Sequence, residues 1–228
     1  MVVLFAGLVG CTPTYAPPLQ TAHGGAPARV AEGDLAVRGS AVGFPEAPPS
    51  MGGPALAYGV RDSVAVEAGG NASGGWGLGW AGVRYTHAPR RHAKHYLAID
   101  VHGAGGAGWG GELRGNTDPE DGGDGRRAIE RVAGGGALGA GVAGHFSFFS
   151  VFGRVRGQLT GATNVPATVW ADGGLGMQFR IAKTVDLYTQ AMWVGYRNRV
   201  EHVRFSVPLY EVGIAVRIPT LRYGYRYR

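Results

Sequence analysis

The sequence predicts an all-β fold, an antiparallel up-and-down transmembrane β-barrel of about 8–10 strands preceded by a Pro-rich tether. Three observations predict it. Long stretches alternate apolar and polar residues with the two-residue period of a strand. Glycine accounts for 42 of the 228 residues without the period of collagen. Hydrophobic residues make up 45% and charged residues 17%, a balance that argues against a wholly disordered chain.

The C-terminal third gives the clearest alternation, in three strands between residues 167 and 219. In the first of them Val169 and Leu175 lie on one face, whereas Asp172 and Arg180 lie on the other. The same pattern returns twice before residue 219. Strands with one apolar face and one face that carries both signs of charge suit the wall of a barrel in a membrane.

Shorter alternating stretches fill the region from Gly33 to residue 160, and loops rich in glycine and proline separate them. Residues 45–54 form one loop, because Pro48-Pro49 and Gly52-Gly53 disfavour a strand. Residues 110–126 form the longest loop. We assign strands to residues 35–41, 55–60, 63–70, 76–86 and 96–109, and two more between 132 and 160 with a turn near His145. The total is ten strands, or eight if the two short ones do not join the wall.

Two stretches fit this scheme less simply. In 76–86, Leu78 and Trp80 share a parity with Arg84, a conflict that a bulge among the glycines would resolve. Residues 132–153 have no fixed charge and are long enough to cross a bilayer as a helix with small-residue packing. We prefer strands there, because the alternation of residues 149–160 continues directly out of this stretch.

A barrel in lipid must close, because lipid offers no partners to backbone amides, and its apolar parity then faces outward. The charged residues of the other parity point into the lumen, where they can pair with one another. A barrel of this size is roughly filled by its own side chains, which favours a structural network over a conduction path. This predicted lumen charge network comprises Arg38, Glu67, Asp100, His102, Arg154, Arg156, Asp172, Arg180, Asp186, Glu211 and Arg217.

The N-terminal residues divide into a short apolar run that ends at Cys11 and a Pro-rich stretch from 12 to 32. Leu8-Val9-Gly10-Cys11 resembles the lipobox of bacterial lipoprotein signal peptides. The resemblance implies cleavage before Cys11 and lipid attachment to it; the alternative is that Cys11 is a small buried hydrophobe. We therefore divide the chain into a signal segment (1–11), an extended tether (12–32), a barrel (33–219) and a Tyr/Arg tail (220–228).

The strand pattern as a whole resembles that of bacterial outer-membrane β-barrel proteins. In that family short turns lie in the periplasm and long loops lie outside. The resemblance implies an outer-membrane location, with both ends of the chain and the lipid anchor on the periplasmic side. It also implies that the loops 45–54 and 110–126 are the regions available to envelope or surface partners.

The net charge of +6 comes almost entirely from arginines scattered among the strands, a pattern that favours lipid headgroups over nucleic acid.

The three histidines of residues 87–95 stand among cations that would repel a metal ion, and the acidic loop 118–124 lacks the spacing of a calcium loop. We therefore expect no metal site and no cofactor.

The function expected from these features is a structural or surface-interaction role without catalysis. Three alternatives remain open: a narrow channel, a tethered lipocalin-like binding domain in the periplasm, and a barrel enzyme that modifies lipids. The enzyme alternative depends on His145-Phe146-Ser147, which resembles the His-x-Ser of a lipid A deacylase barrel, where histidine activates serine for acyl transfer. No carboxylate follows nearby in the sequence to orient His145.

Overall fold

A computed structural model describes residues 16–45, 51–73, 75–89, 95–114, 127–198 and 205–219, which form a closed barrel of ten antiparallel strands. Each strand pairs with its neighbours in the sequence, and the first strand closes the ring against the last. The strands are β1 (Leu35–Gly43), β2 (Met51–Arg61), β3 (Val64–Ser73), β4 (Trp76–His87), β5 (Tyr96–Arg114), β6 (Arg127–His145), β7 (Phe149–Ala162), β8 (Val165–Arg180), β9 (Val185–Asn198) and β10 (Phe205–Ile218).

The predicted fold class is confirmed, with ten strands rather than eight. The two short strands that could have stayed outside the wall are β2 and β3, and both pair along most of their length. Closure is in continuous register from Leu35 opposite Ile218 to Gly43 opposite Tyr210. The sheet therefore has no free edge along this seam, as a barrel in lipid requires.

The two faces of the wall differ as the alternation predicts. Large apolar side chains point outward, and Leu138 is 74% and Leu175 70% exposed. Charged and polar side chains point into the lumen, where Asp100 and Glu211 are fully buried. An outer wall of exposed apolar side chains around a polar interior is the reverse of a water-soluble domain.

Three local predictions are wrong. β4 contains no bulge, because its register is continuous with both neighbours, so Leu78 points inward on the same face as Arg84. β2 begins at Met51, so Gly52, Gly53 and Pro54 belong to a strand and not to a loop. β5 likewise continues five residues into the region expected to be loop, through Arg114. The glycines and prolines near these boundaries led to a predicted start of β2 that is too late and a predicted end of β5 that is too early.

The helical alternative for 132–153 is also wrong, since this stretch comprises most of β6, the connection after it and the start of β7. The many small residues of β6 allow close approach at its inner face. A Cβ at Gly135 would lie 2.2 Å from the carbonyl oxygen of Leu159.

Within the described part of the chain, no helix has the length and apolarity needed to cross a membrane.

The strand order gives the barrel two distinct ends. The connections 62–63, 88–95, 146–148 and 181–184 lie at one end, which we call the turn end, and β10 also finishes there. The opposite ends of the strands define the loop end, where β1, β3, β5, β7 and β9 finish and β2, β4, β6, β8 and β10 begin. The predicted loops 45–54 and 110–126 therefore both belong to the loop end.

The described part of the expected tether, residues 16–32, does not extend away from the barrel. Residues 16–31, which we call the lumenal segment, lie inside the barrel, and Ala16 and Leu19 are fully buried. Composition signalled an extended chain, but the inner wall offers this chain hydrogen-bond partners along its whole length. The segment then turns at Gly33 into β1.

Substitution of Gly59 tests how closely the end of the lumenal segment packs on the wall. A Cβ at Gly59 would lie 2.0 Å from the carbonyl oxygen of Ala31, whereas a Cβ at Gly157 on the outer face would meet no atom within 4 Å. We expect Gly59→Ala to lower the free energy of unfolding by about 1–3 kcal/mol through overpacking, and Gly157→Ala to change it by less than about 0.5 kcal/mol. Urea midpoints followed by tryptophan fluorescence measure both, and equal midpoints for the two variants would contradict the packing described.

Candidate functional site

The candidate site is the lumen itself, in which the lumenal segment contacts the inner faces of most strands. The segment is neither helix nor strand and bends at Leu19, Gly25 and Ala26, so its buried peptide groups need partners from side chains. Pro17, Pro18 and Pro27 reduce that need, because proline has no N–H to satisfy. Inward-facing threonine, asparagine, glutamine, histidine and arginine side chains supply the partners.

Near the loop end, three side chains hold Ala16. Its backbone N–H donates to Thr168 Oγ1 at 3.0 Å, and its carbonyl oxygen accepts from Trp170 Nε1 at 3.1 Å and from Thr160 Oγ1 at 3.4 Å. Thr160 and Trp170 come from β7 and β8 near the connection that joins them. The segment therefore begins at the loop end of the lumen.

In the middle of the lumen, amide side chains reproduce the pairing that a strand would provide. Gln20 N–H donates to Gln158 Oε1 at 2.9 Å, and Gln158 Nε2 donates to the Gln20 carbonyl at 2.8 Å. From another part of the wall, Asn71 accepts from the Thr21 hydroxyl at 2.6 Å and donates to the Pro18 carbonyl at 3.2 Å. Both faces of the segment are thus held.

His23 is the point at which the lumenal segment joins the charged groups of the wall. Its backbone N–H donates to Glu211 Oε2 at 2.8 Å, and Gly24 N–H donates to Glu211 Oε1 at 3.1 Å. The His23 ring contacts Asp172 through Nε2, and Asp172 also pairs with Arg156. One carboxylate fixes the backbone here and a second fixes the imidazole.

Near the turn end, the segment is held by β6, β7 and β8. Arg154 Nε donates to the Gly25 carbonyl at 2.6 Å, and Ala26 N–H donates to Gln178 Oε1 at 2.9 Å. His145 Nε2 lies 2.7 Å from the Pro27 carbonyl oxygen. Together with the contacts of Ala16, these bonds show that the segment crosses the lumen from the loop end to the turn end.

The wall charges pair beside and beneath the segment. Arg84 lies between two carboxylates, donating to Asp100 Oδ2 at 2.6 Å and to Glu67 Oε2 at 3.0 Å. Arg154 joins the same Asp100 oxygen at 2.8 Å, and Arg38 joins Glu67 at 3.2 Å. Each of these buried charges thus has an opposite charge in contact, which offsets the cost of removing it from water.

The structure brings most of the predicted lumen residues together. A central group comprises Arg38, Glu67, Asp100, Arg154, Arg156, Asp172 and Glu211. A second group lies at the turn end, where Arg217 and Arg180 lie 2.5 and 3.5 Å from Asp186. Arg180 is 43% exposed, so it belongs to the rim and not to the interior. His102 is half-buried and lines a small cavity beside Arg84.

Sequence reasoning missed the uncharged half of the site and one charged residue. Arg84 pairs with two carboxylates, although the mixed parity of its strand gave no face to assign it to. Gln158, Gln178 and Asn71 hold the segment, and each lies on the inner parity of its strand. The inner parity of the strands carries more amide side chains than the charged groups there need as partners. This excess was the signal in the sequence that the lumen holds a peptide backbone.

The cavity left in the lumen is small. It measures about 40 Å³ and lies among the segment, β1 to β5, β7 and β9, with Arg38, Arg84, His102 and Tyr188 in its lining. That space holds a few water molecules and no larger solute.

The histidine considered for acyl transfer has a different partner from the one expected. His145 Nδ1 lies 2.7 Å from Ser150 Oγ, whereas Ser147 is exposed in the connection after β6. The other ring nitrogen contacts a backbone carbonyl and not a carboxylate. This geometry fixes the imidazole between the wall and the segment, with Ser150 as its hydroxyl neighbour.

Several expected features lie outside the described residues: Cys11, the acidic loop 118–124, residues 90–94 of the histidine-rich turn, and the tail 220–228. Among the residues that the structure describes, no group of three or more His, Cys, Asp or Glu side chains is placed to hold a metal ion.

The Asp100 pairs can be tested by comparing a buried carboxylate with an exposed one. Asp100→Asn leaves Arg84 and Arg154 buried without their shared charge, so we expect it to lower the free energy of unfolding by about 3–5 kcal/mol. The matched control is Asp62→Asn, which removes the surface pair with Arg29 and should cost less than about 1 kcal/mol. Urea midpoints of the two variants decide the matter, and a small effect of Asp100→Asn would show that the pairs contribute little.

Comparison with known proteins gives likeness in fold only. No protein-family model matches the chain, and no curated protein matches it. Among solved structures it is similar to the N-terminal β-barrel domain of Pseudomonas aeruginosa OprF, with 8% identity, TM-score 0.41, and coverage of 82% of this chain and 98% of that one. The NanC porin gives 11% identity, TM-score 0.38 and coverage of 80% and 98%. The outer membrane protease OmpT from Escherichia coli gives 7% identity, TM-score 0.38 and coverage of 82% and 94%. Likenesses this distant assign no function.

Proposed function

We propose that the chain is a small outer-membrane β-barrel lipoprotein, attached to lipid through Cys11, with a structural or surface-interaction role and no catalysis. The observation that carries the proposal is the closed wall, apolar outside, around a lumen that its own N-terminal segment occupies. A wall of this kind belongs in lipid. An occupied lumen leaves the loop end as the part of the molecule best suited to meet partners.

The lumenal segment argues against the channel alternative. The wall side chains do not fill the lumen alone, as the sequence analysis expected, because a peptide crosses it and contacts β3, β6, β7, β8 and β10. Without this peptide, the space that it occupies would be open to water. The outward apolar faces argue against the tethered lipocalin-like alternative, which requires its apolar parity inside. The contacts of His145 with Ser150 and Pro27 argue against the deacylase-like alternative, because they engage both ring nitrogens of the imidazole.

For partners outside the membrane, we propose the loop end as the contact surface. The loops proposed from the sequence for surface contacts are 45–54 and 110–126, and their described parts include the loop-end residues of β2 and β5. Membrane lipid is the partner proposed for the wall.

A charge placed on the outer wall separates the membrane proposal from a soluble domain. Leu138 is 74% exposed and lies in the central part of β6. In water, Leu138→Arg would cost almost nothing, whereas at the middle of a bilayer it should cost about 2–4 kcal/mol. We expect a loss of that size in unfolding free energy for protein folded in lipid vesicles. Thr163→Arg, in an exposed connection, is the control and should cost less than about 1 kcal/mol. Equal behaviour of the two variants would oppose a membrane wall.

Conductance in planar bilayers tests whether the segment fills the lumen in the working state. We expect single-channel recordings of the full chain to show no sustained openings, because the segment occupies the lumen. Deletion of residues 16–31 should produce stable openings, since the charged inner wall would then face water. A mobility difference between boiled and unboiled samples on a detergent gel checks that the deleted form still closes into a barrel. Sustained conductance of the full chain would favour the channel.

A further inference from the structure

We propose that the chain threads its own barrel, so that the residues before Ala16 emerge at the loop end, on the opposite face of the membrane from the turn end. This inference rests on the membrane location proposed above. It reverses the sequence expectation that both ends of the chain share one side, because β10 finishes at the turn end.

The direction of the segment follows from its contacts at both ends. Ala16 is bonded to Thr160 and Thr168, which lie a few residues from the 163–164 connection at the loop end. At the other end of the segment, Ala31 lies at the turn end. Its carbonyl accepts from Asp34 N–H at 2.9 Å, and nearby Gly33 N–H donates to the carbonyl of Gly59, close to where β2 finishes.

Intermediate contacts follow the same order and exclude a segment that enters and leaves at one end. Gln20 is bonded to Gln158, and Gly25 to Arg154, so the segment moves steadily along β7 toward the turn end. Pro27 then meets His145, the last residue of β6. Arg29 next reaches Asp62 in the first connection of the turn end, with Arg29 Nη2 and Asp62 Oδ2 2.5 Å apart.

The reach of the chain places Cys11 with the loop end. The stretch from Cys11 to Ala16 is about five residues long and spans at most about 18 Å. β7 has 14 residues, so it is about 46 Å long, or roughly 35 Å along the barrel axis at the usual tilt. Cys11 cannot return to the turn end, and a lipid on Cys11 would enter the leaflet at the loop end.

Labelling of single introduced cysteines tests the placement. Thr14→Cys reports the N-terminal stretch, Thr163→Cys the loop end, and Ser147→Cys the turn end. The unmodified chain is the matched control, because its one cysteine is Cys11. Cells are treated with a membrane-impermeant maleimide before and after permeabilisation, and mobility on a detergent gel with and without boiling confirms that each variant is folded.

We expect Thr14→Cys and Thr163→Cys to behave alike, and Ser147→Cys to label under the opposite condition. This contrast holds whichever end of the barrel faces the cell exterior. Thr14→Cys behaving like Ser147→Cys would overturn the proposal, as would its failure to label in both states. Equal labelling of all three sites would show that no membrane separates the two ends of the barrel.

Disulfide cross-linking in the full chain separates a failure of threading from a failure of the membrane proposal. Ala16→Cys paired with Thr168→Cys, and Ala26→Cys paired with Gln178→Cys, join positions that are bonded in the lumen. Ala16→Cys paired with Gln178→Cys joins opposite ends and is the control. We expect the first two pairs to cross-link, visible as a mobility change without reductant, and the control to stay unlinked. If they cross-link while all three labelling sites behave alike, the membrane location is wrong; if only the control pair cross-links, the segment runs the other way.

Discussion

A peptide with no neighbouring strand must find a partner for every buried backbone group, and the rest of this structure depends on how the inner wall meets that demand. In a sheet the next strand provides the partners. In the lumen the partners are side chains that each reach one or two peptide groups, such as Gln158 beside Gln20 and Glu211 beside His23 and Gly24. The inner face therefore has to be polar at the height of each peptide group. Its sequence is constrained by the segment as much as by the barrel.

The buried arginines also bond peptide groups of the lumenal segment, but each of them needs an opposite charge as well. A buried arginine that donates to a peptide carbonyl keeps its charge, so it needs a carboxylate as well. Arg154 meets both conditions, because it donates to the Gly25 carbonyl and to Asp100. Arg156 does so with the Ala22 carbonyl and Asp172. Glycine on the inner face provides the room. A Cβ at Gly106 would lie 2.9 Å from Leu19 Cδ1, and one at Gly141 would lie 2.9 Å from Pro27 Cγ. The polar side chains and the glycines of the inner face thus both fit the lumenal segment, the first by hydrogen bonds and the second by leaving room for it.

The sequence predicted the wall well because the alternation of a strand is a local signal. Val169 and Asp172, on opposite faces of β8, could be placed without knowing what each face meets. Strand ends were harder, because Gly52, Gly53 and Pro54 favour turns in isolation and are held in β2 by pairing with β1. The lumenal segment could not be predicted from its own residues, since a Pro-rich stretch has the same composition in water and inside a barrel. Only the inner amides of the wall carried that information, and they are scattered from Asn71 to Gln190 along the chain.

The seam between β1 and β10 has a consequence for the order of assembly. It joins the first strand to the last, so its contacts have the greatest sequence separation in the wall and the largest loop-closure cost. The segment precedes β1 and lies inside the ring. Drawing a free end through a finished ring is an unusual event for a protein chain, whereas wrapping an open sheet around a peptide already bound to it requires no threading. The N-terminal residues would then act as a core on which the sheet curls, and formation of the seam would be the final and slowest step.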